Sequence, residues 1–175
     1  MTGRRPCRLL SHSAILPVRL PLAERRAFYI LRMRRRNVNI LLTGTASDSH
    51  TWNLVYLQLL LEELGHPVRN LGPCVTDELL TGACTAEEPG LVVISSVNGH
   101  GYRDGLSAVR ALRGAGFTLP VVMGGKLGVA GTADPEQRRR LLDAGCDAVF
   151  DDGDANALRT FLTSLDAAAA ARAVA

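Results

Sequence analysis

Asp48 and His50 stand two residues apart in T-G-T-A-S-D-S-H-T-W-N, residues 43–53, directly after the apolar run V-N-I-L-L. A histidine with a carboxylate so near can bind a metal through one ring nitrogen while the other donates to the acid. That partner fixes the tautomer and raises the basicity of the ligating nitrogen. A plainer reading has Asp48 or Ser49 capping the next helix and His50 as a solvated first-turn residue. Spacing alone leaves both open. Two other stretches end apolar runs with small or polar residues: S-S-V-N-G-H-G-Y, residues 95–102, and V-M-G-G-K, residues 122–126. Taken singly, Ser95 is a buried hydroxyl, Val97 ordinary core, Gly124-Gly125 a turn and His100 a solvent-facing loop residue.

The elements that must position these stretches follow from the alternation of short apolar runs with longer amphipathic ones. The pattern predicts strands over residues 38–43, 67–71, 91–96, 119–123 and 148–150, the fourth closed by Gly124-Gly125. It predicts helices over residues 52–64, 76–84, 104–113, 135–144 and 156–173. The third strand, L-V-V-I-S-S, is nearly continuous in apolar character, as in parallel strands buried on both faces. Strict βα alternation implies an α/β fold, a flavodoxin-like (Rossmann-like) doubly wound five-stranded parallel sheet of order 2-1-3-4-5. Such folds bind ligands outside the carboxyl ends of the strands where the order reverses, here strands one and three. The loops carrying Asp48-Ser49-His50 and Ser95-Ser96-Val97 lie at that point.

A chain of 175 residues suits one domain plus a tail. The net charge of +3 hides an uneven distribution. Residues 1–37 hold ten of the twenty Lys and Arg residues but only one acid, Glu24, so the remainder carries ten basic and sixteen acidic side chains. Residues 1–36 are expected to be a disordered basic extension, with an upstream translated segment ending near Met33, a transit-like segment and a nucleic-acid arm as its readings. Residues 37–165 form the expected domain, and residues 166–175 an alanine-rich helix end. The four cysteines show no C-x-x-C or zinc spacing and read as incidental thiols of a reducing, cytoplasmic setting. No apolar run approaches the roughly 20 residues of a membrane helix. Phosphate-binding G-x-x-x-x-G-K-[ST] and G-x-G-x-x-G loops and a G-x-S-x-G elbow are absent.

Taken together, S-D-S-H, S-S-V-N-G-H-G and V-M-G-G-K resemble the cobalamin-binding domain with its D-x-H-x-x-G, S-x-L and G-G signature, over roughly residues 37–165. The resemblance is greatest to the small cobalamin-binding subunits of glutamate mutase (methylaspartate mutase). It implies that His50 is the lower axial cobalt ligand, displacing the cofactor's dimethylbenzimidazole base, and that Asp48 hydrogen-bonds the far ring nitrogen. It also implies a slot for the freed nucleotide tail between the first helix and the sheet, with Ser95 bonding the displaced base. Gly124 and Gly125 would let the tail approach the backbone. Ser47, Ser49, Val97 and Gly99 belong to the same loops, and Phe150, Gly153 and Asp154 would line the tail near the fifth strand. Three departures stand out. Asn53 takes the glycine position beside bulky Trp52, itself read as a helix-start packing residue; Val97 replaces leucine; and D-D-G-D-A-N puts the acid of Asp154 beside the tail.

The implied cofactor is adenosylcobalamin. The implied activity is that of an isomerase subunit interconverting L-glutamate and threo-3-methyl-L-aspartate, inactive alone and carrying no catalytic residues of its own. Its implied partner is a large TIM-barrel-type subunit in a heterotetramer, with neither membrane nor nucleic acid expected. The rival readings are a corrinoid carrier for methyl transfer, whose usual N-terminal helical cap residues 1–36 do not resemble, a cobalamin-sensing regulator, and a degenerate domain that has lost cobalamin.

Overall fold

Apolar runs become strands and amphipathic stretches become helices in the order the alternation requires. A computed structural model describes residues 37–128, 134–150 and 154–172; the extension expected over residues 1–36, and Gly153, lie outside the described residues. In chain order the elements are β1 (Ile40–Gly44), α1 (Trp52–Glu63), β2 (Val68–Asn70), α2 (Asp77–Glu87), β3 (Leu91–Ser96), α3 (Gly101–Gly114), β4 (Val121–Gly125), α4 (Pro135–Asp143), β5 (Ala148–Phe150) and α5 (Ala155–Arg172). The strands form one parallel sheet of order β2-β1-β3-β4-β5, the doubly wound arrangement expected.

Side chains along a strand alternate between the two faces of the sheet, and the core divides accordingly. Ile40, Leu42, Leu91, Val93 and Val122 pack with Leu54, Leu60 and Leu61 of α1 and with Leu158 and Leu162 of α5. Leu41, Val92, Ile94, Val121 and Met123 pack on the other side with Leu80 and Cys84 of α2, Val109 and Leu112 of α3 and Leu141 of α4. Burying each such side chain is worth about 1.5–3 kcal/mol. A one-residue slip would turn a whole strand to the wrong face, so the pattern fixes register. Cys84 and Cys146 are buried, which pushes both thiols up to about 11.

Register sets small residues in a row across the carboxyl end of the sheet. Gly44 of β1 pairs with Ser95 of β3, Ser95 with Gly124 of β4, and Gly124 with Phe150 of β5. This row follows Val93 and Val122 on the α1/α5 face, so the apolar floor stops where the glycines begin. Gly124-Gly125 therefore belongs to β4 itself rather than to a turn closing it.

The start of α3 also differs from expectation, at Gly101 rather than Asp104. The glycines of N-G-H-G-Y read as loop, yet Gly101 is the helix's point of contact with the sheet. A Cβ there would fall 2.9 Å from Ser96 Cβ and 3.0 Å from the Lys126 carbonyl oxygen.

Gly125 has φ +101°, and a Cβ on it would lie 2.1 Å from the Ser96 carbonyl oxygen, a rigid backbone atom. Strain and clash together should make Gly125→Ala cost about 2–4 kcal/mol. The expected result is a melting temperature lowered by about 5 °C or more. Gly114→Ala, where nothing lies within 4 Å of the added carbon, should stay within about 1 kcal/mol of the parent. Equal melting temperatures for the two variants would contradict this account of the β3–β4 edge.

Candidate functional site

The loop after β1 brings Asp48 under the end of β3, where its carboxylate is 1% exposed. Four donors meet it. Oδ1 accepts from the His50 backbone N–H (3.0 Å) and lies 2.7 Å from His50 Nδ1; Oδ2 accepts from Val97 N–H (2.6 Å) and from Ser96 Oγ (3.1 Å). Burial, the largest single influence, pushes the Asp48 carboxyl up, but these hydrogen bonds together outweigh it and hold the group below its ordinary value. Cys74 N–H, from the β2–α2 loop, donates to the Asp48 carbonyl oxygen at 2.9 Å and so clamps the loop from outside.

This geometry sets aside the capping reading of Asp48. Asp48 is not a helix cap: its carboxylate is taken up by His50, Ser96 and Val97, and the N-cap residue of α1 is Thr51, whose side chain makes no capping bond. With Nδ1–H donating to the carboxylate, the lone pair of His50 Nε2 is left on the far side of the ring. The side chain is 49% exposed, so the ring lies at the surface.

The second loop is tied to the first by residues the sequence reading did not single out. Thr45 Oγ1 donates to Ser96 Oγ (3.3 Å), and Asn98 Nδ2 donates to the Ser47 carbonyl oxygen (2.9 Å). Ser47 N–H donates to Asp104 Oδ2 (3.1 Å), and the Ser47 hydroxyl donates to the same carboxylate. His100 is the N-cap residue of α3, exposed, its N–H bonded to Asn98 Oδ1 at 2.9 Å. The sequence held one usable signal: period two along β3 sends Ser95 and Ser96 to opposite faces. Ser96 holds Asp48, and Ser95 faces elsewhere.

Ser95 lies in a slot of about 230 Å³ between α1 and α5, open over the row of small residues. Its walls are Trp52, Asn53, Tyr56 and Leu57 of α1 and Ala155 and Leu158 of α5, with Val93, Val122 and Phe150 among its apolar lining. Val97, Gly124, Gly125 and Asp154 also line it, so the structure gathers most of the expected tail residues in one place. Asp154 is not a free acid there: its Oδ1 accepts from Ala157 N–H at 3.0 Å, at the start of α5. Trp52 does not pack at the helix start as expected but is 63% exposed. Ser49 is exposed, and Gly99 makes a turn at φ +81°. Val97 touches both regions, its N–H bonded to Asp48 and the residue lining the slot.

The family model of the B12 binding domain matches residues 38–159. The chain belongs to the B12-binding domain family. Among curated proteins it is similar to the glutamate mutase sigma subunit of Carboxydothermus hydrogenoformans, 29% identical over 119 residues that span 67% of this chain and 87% of the relative. Among solved structures it is similar to a cobalamin-binding protein of Desulfitobacterium hafniense DCB-2, with TM-score 0.55 and 22% identity over 65% of this chain and 53% of the other. The methanol:cobalamin methyltransferase complex MtaBC of Methanosarcina barkeri gives TM-score 0.59 and 17% identity over 73% of this chain and 46% of that one. The chain thus spans about half the length of these two solved chains, and at such identities they speak for the fold alone.

In this B12-binding domain the charged state of Asp48 is linked to stability. A carboxylate whose folded pKa is depressed contributes stability that is complete above its unfolded pKa and is lost as pH falls through the folded value. Asp48→Asn should therefore lose about 1–3 kcal/mol near neutral pH, with the gap to the parent narrowing below about pH 4. Denaturant titrations across that range check the sign; a gap that widens on acidification contradicts it.

Proposed function

We propose that this domain holds cobalamin with the nucleotide base displaced, His50 serving as the lower cobalt ligand and Asp48 as its hydrogen-bonded orienter. The observation that carries the reading is the buried, four-times-bonded Asp48 carboxylate gripping His50 Nδ1, with a slot lined by Ser95, Gly124 and Gly125 nearby. Among the described residues no three His, Cys, Asp or Glu side chains cluster around a metal position. His50 would hold the cofactor's cobalt as a single protein ligand, with Asp48 behind it. The slot offers what a displaced tail needs: glycines that admit close approach, an apolar wall, and the hydroxyl of Ser95 on the floor.

The finer reading is that the chain is the small subunit of an adenosylcobalamin-dependent carbon-skeleton mutase of the methylaspartate type. The similarity to a glutamate mutase sigma subunit supports it. When bound, that cofactor supplies a radical by homolysis of its cobalt–carbon bond. The chain's own residues do the rest of what falls to it. Asp48 keeps the proton of His50 on Nδ1, so that Nε2 stays a lone-pair donor, and the slot would hold the displaced tail. A large barrel subunit would bring the amino-acid substrate. Trp52, Val55, Tyr56 and Leu59, spaced along the exposed side of α1, give it apolar surface to cover. Residues 37–165 serve as the domain of this proposal, and residues 1–36 as an extension beyond it.

Titration of the purified chain with hydroxocobalamin, followed by visible absorbance, should give a base-off, histidine-bound spectrum. His50→Gly should abolish that spectrum without unfolding the exposed loop end. Asp48→Asn should weaken affinity, and methylaspartate formation from glutamate in the presence of a large barrel subunit, by about 10- to 100-fold. An unchanged spectrum and affinity in His50→Gly would overturn the ligand assignment. Normal cobalamin binding with turnover of a different substrate would overturn the mutase assignment alone.

A further inference from the structure

The turn that ends α1 buries a titratable ring. Gly65, at φ +98°, donates its N–H to the Glu62 carbonyl oxygen at 2.9 Å, and His66 N–H donates to the Leu61 carbonyl oxygen at 3.1 Å. In this paired closure of a helix end, the residue after the glycine commonly packs an apolar side chain back on the last turns. Here that residue is a histidine, its side chain 3% exposed. Asp166 of α5 faces it, one turn beyond buried Leu162 and so on the core side of that helix, its side chain 14% exposed. His66 Nε2 lies 4.0 Å from Asp166 Oδ2, near enough for ionic attraction but too far for a hydrogen bond. His66 Nδ1 and Asp166 Oδ1 are buried without hydrogen-bond partners. The other charged groups around this point are engaged or stand off. Glu62 and Glu63 of α1 are exposed, Glu62 accepting from Gln58 Nε2 at 2.9 Å; Arg69 of β2 lies 3.3 Å from Glu87; and Arg159 is two turns back along α5. Asn37, beside Gly65, is neutral.

We propose that His66 and Asp166 form a proton-operated clasp between the end of α1 and α5. While the ring is neutral, one nitrogen carries a proton and the other a lone pair, so a dipole faces the carboxylate. Once the ring takes up a proton it is a cation with two donors. Closing the gap by about 1 Å then makes a charge-assisted hydrogen bond, stronger than a neutral one. A histidine that gains a carboxylate partner on protonation adds stability below its unfolded pKa, lost as pH rises through the folded value. Asp166 has to be ionised to serve. The clasp therefore works between the ordinary carboxylate and histidine ranges, about pH 4.5 to 6.5, and opens above them. The opposite sign follows where burial dominates: acid would then have to charge a sealed ring, and stability would fall in that window. Both helices also wall the slot, through Tyr56 and Leu57 of α1 and Ala155 and Leu158 of α5, so the clasp sets how firmly those walls are tied together. Nothing in it depends on what occupies the slot.

The experiment compares thermal melts of the full chain and of Asp166→Asn at about pH 5.5 and about pH 8, on either side of the histidine range. The difference between the two proteins cancels the titration of the remaining groups. Asp166→Asn should lower the melting temperature by about 3–8 °C at the acid pH and change it by about 1 °C or less at the alkaline one. In parallel, the His66 ring proton resonance, identified by its loss in His66→Gln, should titrate at lower pH in Asp166→Asn than in the parent. Should His66→Gln fail to fold, the melts decide alone. A deficit that is equal at the two pH values, or larger at the alkaline one, would overturn the clasp, as would a ring titration that Asp166→Asn leaves unmoved. Failure of Asp166→Asn to fold at the alkaline pH would overturn it too, because the carboxylate would then be needed by a neutral ring.

Discussion

A carboxylate that is buried and charged imposes the strictest requirement on this structure. Removing an ion from water is prohibitive unless its lone pairs are met, and Asp48 is 1% exposed. Its donors come from sequence positions that only the folded sheet brings together: His50 from its own loop, and Ser96 and Val97 from the end of β3 nearly fifty residues later. The β1–β3 register, Gly44 opposite Ser95, is what delivers them. Positioning the histidine and completing the fold at this edge are therefore one event. Asn98, Ser47 and Asp104 add a second ring of bonds that ties α3 to the same loop.

The same register that closes around Asp48 leaves the other face open. Where β1, β3 and β4 would continue the apolar floor, they carry Gly44, Ser95 and Gly124. The missing side chains forgo packing energy between α1 and α5 and leave a slot in its place. Below it the two helices close up, with buried His66, just past the end of α1, 4.0 Å from Asp166 of α5. A core that is well packed at the amino end of the sheet and hollow at its carboxyl end is how a doubly wound fold combines rigidity with a site.

What was legible in the sequence was whatever is encoded locally. The strands L-V-V-I-S-S and A-V-F were placed to the residue because each is bounded by sharp changes in polarity. The sheet order followed from alternation, and the Asp48–His50 pair from spacing together with family resemblance. The misreadings were tertiary. Gly101 and Gly125 look like loop glycines, yet they are small because backbone or side chains of neighbouring elements press against them. Ser96 was passed over for Ser95, since no local signal says which face holds the carboxylate. Thr45, Asn98 and Asp104 are ordinary polar residues until the two loops meet. Trp52 was expected to pack, and its exposure depends on what this face of α1 meets rather than on its own chemistry.

The central claim is that His50, and not the cofactor's own base, supplies the lower nitrogen to cobalt. The most direct measurement is the electron paramagnetic resonance spectrum of cob(II)alamin bound to protein labelled only at histidine with the heavy nitrogen isotope. The account expects the nitrogen hyperfine triplets of unlabelled protein to become doublets on labelling. Triplets that persist in the labelled protein would mean that the ligating nitrogen belongs to the cofactor, and would contradict the assignment of His50.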